Sequence, residues 1–476
     1  MKTLKKYFVP FFVFLGVASI LSYKLFSSFT FHPDFARDIY DILTIIQGKL
    51  TLIGPKLSFG GIYSGPYYYY LFVPILYLAN LNLNSLLAFN LFLFIFGVIF
   101  FYLIISKKNG VFYSLIASLV IVFTPFYILG ARGPWNGSTY LPFLLILLTV
   151  IYFIDINGKK LILFALGFLG GIIVSIHLVN IPVILLIVIY LFIILKNKKE
   201  IVFFIFGLFI AFTPLLLFEI KHDFIMIKNT FIVKSYKTFV ENNNIPNAVS
   251  GKKNIFDNLV FLSDKFKEQI GFSILLFVAM SIFLISNLKA KKEKFLLYGS
   301  FGLIVFFAVV LRYQFGNHYL FPVSLFLIFS LVVGILKTKY KLLLIVVLVF
   351  ELFSFPKNIF NQSTRTAKTF EDRVDYVINN KLIKQGEAFN VIQISKDYTT
   401  YIPVGHEYRY FFRKNNYLPK TEFEYKDSDT LLIFSELRDF NISHLNNWET
   451  REFGLKNIKK YTKYEINGAI LYLVKK

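Results

Sequence analysis

Cysteine is absent from this 476-residue chain, and charged residues are scarce. The lack of cysteine excludes disulfide bonds and thiolate metal sites. Charged residues make up 17% of the chain, against about a quarter in soluble proteins, whereas 56% of the residues are hydrophobic. Many apolar runs approach the roughly 20 residues that are needed to cross a bilayer. The sequence therefore predicts a polytopic α-helical membrane protein.

Acidic residues are fewer than basic ones, 28 against 51, and the formal net charge is +23. The lysines occur in short clusters between apolar runs, as the positive-inside rule predicts, and no nucleic-acid-binding motif accompanies them. We therefore expect the lipid bilayer, and no nucleic acid, as a partner. If the doubtful stretch 66–80 does not cross, every lysine cluster falls on the cytoplasmic face. The N-terminus is then cytoplasmic, the C-terminus lies outside, and about eleven segments cross: 7–28, 84–106, 111–129, 137–155, 161–177, 180–195, 200–218, 271–287, 294–311, 319–336 and 341–354.

Four charged residues crowd into one short stretch, FHPDFARDIYD, directly after the first apolar segment. Pro33 suits the first position of a helix, and acidic residues suit its first turn. Apolar residues then recur at helical spacing on one side, and Asp34, Arg37, Asp38 and Asp41 occupy the other. We expect an amphipathic helix that lies on the outer leaflet. The alternative is a merely solvated charged face, in which Arg37 bridges Asp34 and Asp41.

Glycine and tyrosine mark the next stretch, GPKLSFGGIYSGPYYYYLFVPI (54–75). Its Gly-Pro and Gly-Gly pairs are turn signals, and tyrosine favours the membrane interface. The apolar part that follows is short for a crossing, which indicates a second juxtamembrane helix that dips in without crossing. Two surface helices joined by glycine turns would form a protein surface that a lipid-linked substrate can approach. Interfacial anchoring explains the tyrosines equally well.

Four segments of the chain resemble parts of one known family. The first outer loop reads PDFARDIYDILTIIQGKLTLIGPKLSFGGIYSGPYYYYLFVPIL. Later segments read ARGPWNGSTYLPFLLIL (131–147), NHYLFPVSLFLIF (317–329) and, in the tail, YIPVGHEYRYFFRKNNYLP (401–419). Together they resemble the GT-C superfamily of membrane glycosyltransferases, in particular its family 39-like branch of protein O-mannosyltransferase and aminoarabinose transferase relatives.

The resemblance implies a GT-C-like fold and an inverting glycosyltransferase. Such an enzyme moves a hexosyl or pentosyl group from a polyprenyl-phosphate donor to a glycan, lipid or protein acceptor at the outer face of the cytoplasmic membrane. The acceptor hydroxyl needs a carboxylate as general base. Family position favours Asp34 over Asp38 for this role, with Arg37 organising the pair. The family's acidic pair is often adjacent, as Asp-Glu, whereas Phe35 follows Asp34 here, so the order of the two candidates stays open.

The same chemistry needs cations at the departing phosphate and contacts to the sugar. Arginines among apolar segments are costly and usually functional, which favours Arg132 and Arg312 as phosphate ligands, with snorkelling to headgroups as the alternative. No obligatory metal is expected: Glu219 and His222 have a possible ligand spacing, but two ligands do not make a site. Interface anchoring or helix-end packing would also explain the other substrate-binding candidates in the outer turns, which are Trp135, Asn136, His177, His318 and Tyr319.

The composition changes after about residue 355, where mixed charges replace the apolar runs. We expect a transmembrane domain at 1–355, whose first outer loop (29–83) carries the juxtamembrane helices. A soluble extracytoplasmic α+β domain follows at 356–476. We expect this domain either to cover the active site, to bind the acceptor polymer or to be a passive cap. Its strand-like runs are at 389–394, 430–435 and 469–474.

Two other functions fit a polytopic membrane protein. One is a lipid-linked glycan flippase or transporter, and the other is a glycan ligase or polymerase of another membrane fold. Transporters place polar residues near the midplane and often contain inverted repeats. In this sequence the helix centres carry almost no charge, the polar groups collect at one face, and no internal repeat is visible. The glycosyltransferase is therefore the favoured prediction.

Overall fold

The computed structural model divides into two compact units that interleave along the chain. The first unit contains Met1–Leu25, Thr51–Leu71 and Asn84–Asn361, and the second contains Phe26–Leu50, Phe72–Leu83 and Gln362–Lys476. Parts of the first outer loop thus share a unit with the C-terminal region, whereas the sequence analysis assigns the whole loop to the transmembrane domain. The residues that the structure describes are 2–57, 61–233, 255–310, 317–395, 404–438, 440–458 and 460–476.

The first unit is helical, because apolar runs in a membrane satisfy their backbone hydrogen bonds within each helix. All eleven predicted apolar segments coincide with helices. Among the described residues, three helices, at Phe8–Ser28, Asn84–Asn109 and Asn317–Leu336, are long and apolar enough to cross a membrane, and three bent pairs raise that number to six. The helices of this unit are Lys2–Ser22, Asn84–Asn109, Val111–Phe123, Pro125–Ala131, Leu141–Phe153, Lys160–Ile176, Ile181–Ile194, Ile201–Ala211, Thr213–Lys221, Ile225–Ile227, Ile255–Ile270, Ile274–Asn287, Lys291–Val310, Phe321–Leu336 and Leu343–Phe353.

Proline breaks two of the long apolar runs. Val111–Phe123 meets Pro125–Ala131 at 70°, and a second bend of 50° precedes the helix Thr213–Lys221. Proline at the start of the following helix supplies no amide donor to the preceding turn, so the hydrogen-bond ladder stops there. The first break directs the chain into the turn that carries Arg132 and Trp135.

The doubtful stretch 66–80 forms one helix, Tyr67–Leu78, of 12 residues. That length spans about 18 Å, against about 30 Å for the hydrocarbon core of a bilayer. The hydroxyl of Tyr68 donates to Pro134 O at 2.7 Å, and the hydroxyl of Tyr70 donates to Thr51 O at 2.8 Å. These two tyrosines therefore bind protein in the first unit, in place of the headgroups that interfacial anchoring would supply.

The second unit is built on a four-stranded sheet with the order β1-β2-β4-β3. Strands β1 and β2 run parallel, and β4 runs antiparallel to both of its neighbours. A parallel pair needs a crossover, which here contains the helix His406–Lys414. The sequence predicts three of the strands but not β3, because only Ile466 of β3 is buried and no apolar run marks it. The strands are β1 Phe389–Ile394, β2 Thr430–Ser435, β3 Tyr461–Ile466 and β4 Ala469–Lys475.

Helices cover one face of this sheet, and a loop-rich cluster covers the other. Tyr408 stacks on Phe434 of β2, with ring centroids 3.8 Å apart, and Phe370 of the helix Ala367–Asn379 packs beside Tyr408. The second unit therefore has a core of its own. The residues that pack together on the opposite face include Ile392, Ile394, Leu431, Ile433, Tyr472, Val474 and Phe453 of the helix Trp448–Phe453.

The helix predicted at the start of the first outer loop forms over Pro33–Ile46 and is called the acidic helix below. Its apolar residues Phe35, Ile39 and Ile42 are at most 1% exposed, because it packs against His406–Lys414 within the second unit. The expectation that this apolar face lies on the outer leaflet is therefore wrong. Periodicity identifies a face that needs a cover, but it does not say whether lipid or protein supplies the cover.

Candidate active site

The start of the acidic helix presents Asp34. His32 is the N-cap, and its Nδ1 accepts a hydrogen bond from the Phe35 amide at 3.3 Å. Pro33 takes the first helical position, where no amide donor is required. Asp34 follows in the first turn, where the partial positive charge of the helix N-terminus favours a carboxylate.

Arg37 joins the two candidate carboxylates. Its Nη1 lies 3.2 Å from Asp34 Oδ1, and its Nη2 and Nε lie 2.8 and 3.1 Å from Asp38 Oδ1. One guanidinium therefore holds both side chains, which is the organising position that the sequence analysis expects of Arg37. Because guanidinium donors are arranged in a rigid fork, these contacts restrict the orientation of both carboxylates.

The two carboxylates differ in their access to solvent. The side chain of Asp34 is 58% exposed, whereas that of Asp38 is fully buried. Burial raises the pKa of Asp38 to about 7, although Arg37 opposes the shift. The prediction that Asp38 lies on the solvated side of the helix is therefore wrong. Position 38 lies one turn from both Phe35 and Ile42, at the edge of the face that packs on protein.

Contacts from the C-terminal region hold the acidic helix at both ends. Before the helix, the Phe31 amide donates to Arg365 O at 2.7 Å. After it, Arg413 donates through Nε and Nη2 to Gln47 Oε1, at 2.8 and 2.6 Å, and its guanidinium lies 4.7 Å from the ring centroid of Tyr40. Arg413 and Gln47 are 366 positions apart, so sequence reasoning has no signal that pairs them.

In the first unit, four of the predicted substrate-binding residues meet in one aromatic cluster. Between ring centroids, His318 lies 4.4 Å from Trp135, 4.1 Å from Tyr319 and 5.8 Å from His177. His177 also lies 5.7 Å from Tyr319. The members come from three separate turns, all of which the lysine pattern assigns to one face. The fold therefore brings together residues that the sequence presents far apart.

Buried polar atoms surround His177. The ring of Tyr140 lies 6.1 Å from that of His177, and Asn180 Nδ2 donates to His177 O at 2.9 Å. Buried polar atoms are rarely left without a hydrogen-bond partner in folded proteins. A polar ligand could supply the missing partners here. Within the described ranges, the buried side-chain oxygens of this region that have no hydrogen-bond partner are Tyr140 Oη, Ser175 Oγ, Asn180 Oδ1 and Ser64 Oγ.

The loop that precedes the helix Tyr67–Leu78 reaches Ser175 because Gly65 has no side chain. The Gly65 amide donates to Ser175 O at 2.6 Å, and a Cβ on Gly65 would lie 1.6 Å from Ser175 Oγ. The Gly-Pro pair that reads as a turn signal is therefore also a point of close backbone approach. Sequence reasoning missed Tyr140 and Ser175, because serine and tyrosine within apolar runs give no signal of their burial.

Arg132 is buried, and backbone carbonyls engage its guanidinium. Nη1 donates to Leu21 O and, at 3.1 Å, to Tyr23 O, while Nη2 donates to Ile359 O at 3.0 Å. A phosphate ligand would compete with these bonds, and the phosphate role of Arg132 stays a prediction. Asn136 is also buried, directly after Trp135. Arg312 lies outside the residues that the structure describes.

Glu219 closes a turn in the loop that follows the helix Thr213–Lys221. Its Oε1 and Oε2 accept hydrogen bonds from the Met226 and Ile227 amides, at 2.9 and 3.1 Å. His222 Nδ1 lies 2.8 Å from Phe218 O. Both side chains therefore have local structural partners. Among the described residues, no group of three or more His, Asp or Glu side chains is arranged to hold a metal ion.

Nearly the whole chain is similar in structure to a protein of known structure, ArnT. No protein-family model matches it, and no curated protein matches it in sequence. Crystal structures of ArnT from Cupriavidus metallidurans, bound to undecaprenyl phosphate and in the apo state, each match with a TM-score of 0.62 at 10% identity. In both cases the match covers 97% of this chain and 97% of that chain.

A further match is the oligosaccharyltransferase of Archaeoglobus fulgidus in complex with Zn and sulfate. It has a TM-score of 0.44 and 12% identity, and covers 96% of this chain and 72% of that chain. The similarity to ArnT extends over both units, the small C-terminal sheet included. This chain therefore shares the fold of ArnT, which agrees with the resemblance that the sequence motifs indicate.

Proposed function

We propose that this protein is an inverting glycosyltransferase of the membrane. It transfers a hexosyl or pentosyl group from a polyprenyl-phosphate donor to a glycan, lipid or protein acceptor. One observation carries the proposal: in a chain that shares the fold of ArnT, the exposed Asp34 is joined through Arg37 to the buried Asp38. The undecaprenyl phosphate bound to ArnT supports a polyprenyl-phosphate donor.

The exposure of the two carboxylates orders their roles. A general base must come within hydrogen-bond reach of the acceptor hydroxyl, and Asp34 is accessible whereas Asp38 is not. Asp34 therefore takes the proton as the acceptor oxygen attacks the anomeric carbon. The bond from that carbon to the lipid phosphate breaks, the phosphate leaves with the electron pair, and the configuration inverts. Asp38 is a positioning residue that acts through Arg37.

The aromatic cluster of the first unit is proposed to bind the donor. Aromatic rings offer flat apolar surfaces to a sugar, and the buried oxygens around His177 offer polar partners. Trp135, His177, His318 and Tyr319 are therefore assigned to this task, with Asn136 beside them. For the leaving phosphate, Arg132 and Arg312 are the proposed ligands, and at Arg132 a phosphate would compete with the backbone carbonyls of Tyr23 and Ile359.

The membrane arrangement belongs to the same proposal. About eleven crossings, a cytoplasmic N-terminus and an extracytoplasmic C-terminal region put the acidic helix on the outer face, where a lipid-linked sugar arrives. The short helix Tyr67–Leu78 supports this count, because a crossing there would reverse the side of every later lysine cluster.

Replacement of Asp34 tests the proposed function. Cells that lack the protein would be complemented with the wild type, Asp34→Asn or Asp41→Asn, and their envelope glycans compared by mass spectrometry. Wild type should add a glycan mass that Asp34→Asn fails to add, because loss of a general base lowers the rate about 10²–10⁴-fold. Asp41→Asn makes the same charge change on the same helix and should retain the product.

Two outcomes would change the assignment. Full transfer by Asp34→Asn, with loss in Asp38→Asn, would move the base to Asp38. Full transfer by both single variants and by the double variant would reject this mechanism. Equal amounts of each variant in isolated membranes are the control for expression and insertion.

A further inference from the structure

A cavity of about 430 Å³ opens among helix ends of the first unit, on the face predicted to be cytoplasmic. Its walls come from the C-terminal ends of three helices, among them Leu141–Phe153, and from the start of Lys291–Val310. Ligand sites commonly measure about 300–1,000 Å³. The aromatic cluster lies at the opposite end of Leu141–Phe153, a helix about 20 Å long. The cavity is therefore a separate site.

Four lysines surround this cavity. Lys108, Lys291 and Lys292 line it, and Lys337 lies beside it. The Nζ atoms of Lys292 and Lys337 lie 5.5 and 5.9 Å from the ring centroid of Tyr152, which also lines the cavity. In the part of the chain that the structure describes, none of the four lysines forms an ion pair with a carboxylate. The ring of Tyr152 instead orients two of the ammonium groups.

Two acidic side chains lie at the cavity, and one of them, Asp155, is among the residues that line it. Glu293 is 5% exposed, and its Oε1 accepts a hydrogen bond from the Tyr152 hydroxyl at 3.0 Å. Asp155 accepts hydrogen bonds from the amide and side chain of Asn157, at 3.2 and 2.8 Å. Burial lowers the pKa of Lys337; Glu293 opposes this shift, and neighbouring lysines add to it. Four lysines outnumber the two carboxylates of Glu293 and Asp155, and the cavity therefore carries a net positive charge.

Apolar side chains share the cavity with the lysines. Ile151, Ile193 and Ile194 line it, and Ile193 is 43% exposed. A free anion would use only the charged part of such a site, whereas a lipid would use both parts. The positive-inside rule and the helix C-termini explain lysines at this face, and Lys108 Nζ indeed lies 3.5 Å from Phe153 O. Neither the positive-inside rule nor the helix C-termini explain why four ammonium groups surround a cavity with apolar walls.

We propose that this lysine cavity binds the phosphate-bearing headgroup of an anionic membrane lipid. The ammonium groups of Lys108, Lys291, Lys292 and Lys337 contact the phosphate, and the isoleucines contact the start of an acyl chain. Lysine binds phosphate as a compact point charge, and basic pockets between transmembrane helices bind such headgroups. The proposal does not depend on the glycosyltransferase assignment.

Lipid retention tests this site. The full-length protein would be reconstituted in nanodiscs of phosphatidylcholine with phosphatidylglycerol, then released, and its retained lipids counted by native mass spectrometry. The cavity variant is Lys108→Gln with Lys292→Gln. The matched control is Lys159→Gln with Lys199→Gln, which removes two exposed lysines of the same predicted face that do not line the cavity. Wild type and control should retain phosphatidylglycerol preferentially, and the cavity variant about tenfold less.

The source of the phosphate is distinguished in a second arm. Inorganic phosphate would be added to the detergent-solubilised protein and the unfolding temperature measured. One outcome is that phosphate raises the unfolding temperature of the wild type and the control variant but not that of the cavity variant. If the wild type then retains no phosphatidylglycerol, the result supports the site and assigns it to a soluble phosphate. Lys108→Arg with Lys292→Arg keeps the charge and should keep binding, which separates lost charge from lost folding.

Two results would overturn the proposal. The first is equal loss of phosphatidylglycerol in the cavity variant and the control variant, which would indicate general surface charge. The second is equal retention of both lipids by the wild type together with no effect of inorganic phosphate on its unfolding temperature.

Discussion

Asp34 and Asp38 lie one helical turn apart, but only Asp34 is open to a substrate. Both are aspartates on the same side of a predicted helix, so the sequence does not show which of them is the general base. The structure adds the burial of Asp38. In the proposed mechanism Asp38 has a distinct task, since this buried carboxylate contacts the same Arg37 side chain that contacts Asp34.

The pH dependence of transfer should report on Asp38. Its raised pKa of about 7 means that the carboxyl is protonated below that pH and holds Arg37 weakly. Transfer by the wild type should therefore increase as the pH rises through about 7. Asp38→Asn should remove this increase and lower the rate at pH 8 about 10- to 100-fold, because a misplaced reacting group costs about that much.

The measurement is the initial rate of sugar transfer from pH 5.5 to 8.5, in detergent, for wild type, Asp38→Asn and Asp41→Asn. Asp41→Asn should keep the increase but shift it to lower pH, because the charge of Asp41 raises the pKa of Asp38. An increase near pH 7 that persists in Asp38→Asn would assign the titrating group to another residue.

The acidic helix shows which features of a structure a local sequence pattern can predict. Its existence and its start at Pro33 are predicted by proline, acidic residues and helical periodicity. The structure confirms both the helix and its first residue. The identity of its cover does not follow, because the packing partner His406–Lys414 lies near the other end of the sequence. Strand β3 was missed for a related reason, since its partner β4 stabilises it and its own residues are mostly exposed.

The aromatic cluster was more accessible to sequence reasoning. Trp135, His177 and His318 stand out as polar or bulky residues at helix ends, and the lysine pattern assigns these ends to one face. Tyr140 and Ser175 could not be found in this way. Their significance depends on burial without a hydrogen-bond partner, which is a property of the folded chain.

Packing of the acidic helix should control the stability of the second unit. Ile42 is fully buried, so Ile42→Ala should lower the free energy of unfolding by about 2–5 kcal/mol through lost burial and a residual cavity. Leu50→Ala is the control, because Leu50 lies in the same unit and is 78% exposed. Thermal unfolding of the purified full-length protein in detergent would compare the two. Equal unfolding temperatures would contradict the packing seen here.

At the scale of the whole molecule, the arginines of the second unit have specific partners. Arg37, Arg365, Arg373 and Arg413 each contact an acidic or amide side chain within that unit. Lysine clusters instead mark the helix ends of the first unit that the positive-inside rule predicts to be cytoplasmic.

Cysteine labelling tests the arrangement in the membrane, since the chain contains no cysteine of its own. Ala290→Cys should be labelled by a membrane-impermeant maleimide only after the cells are opened. Lys221→Cys and Lys456→Cys should be labelled in intact cells. All three positions are exposed, so access to the reagent depends on the side of the membrane. The reverse pattern would mean that the stretch 66–80 crosses.

The interleaving of the two units has a consequence for the order of synthesis. The acidic helix leaves the ribosome early, but the helix His406–Lys414 that covers it is among the last elements made. At about 5–20 residues per second, translation from Ile46 to His406 takes about 20 to 70 s. Throughout that time Phe35, Ile39 and Ile42 have no cover from their native partner. An incomplete chain therefore lacks the native cover of the helix that carries Asp34, and in the proposed mechanism transfer begins only when His406–Lys414 has been made.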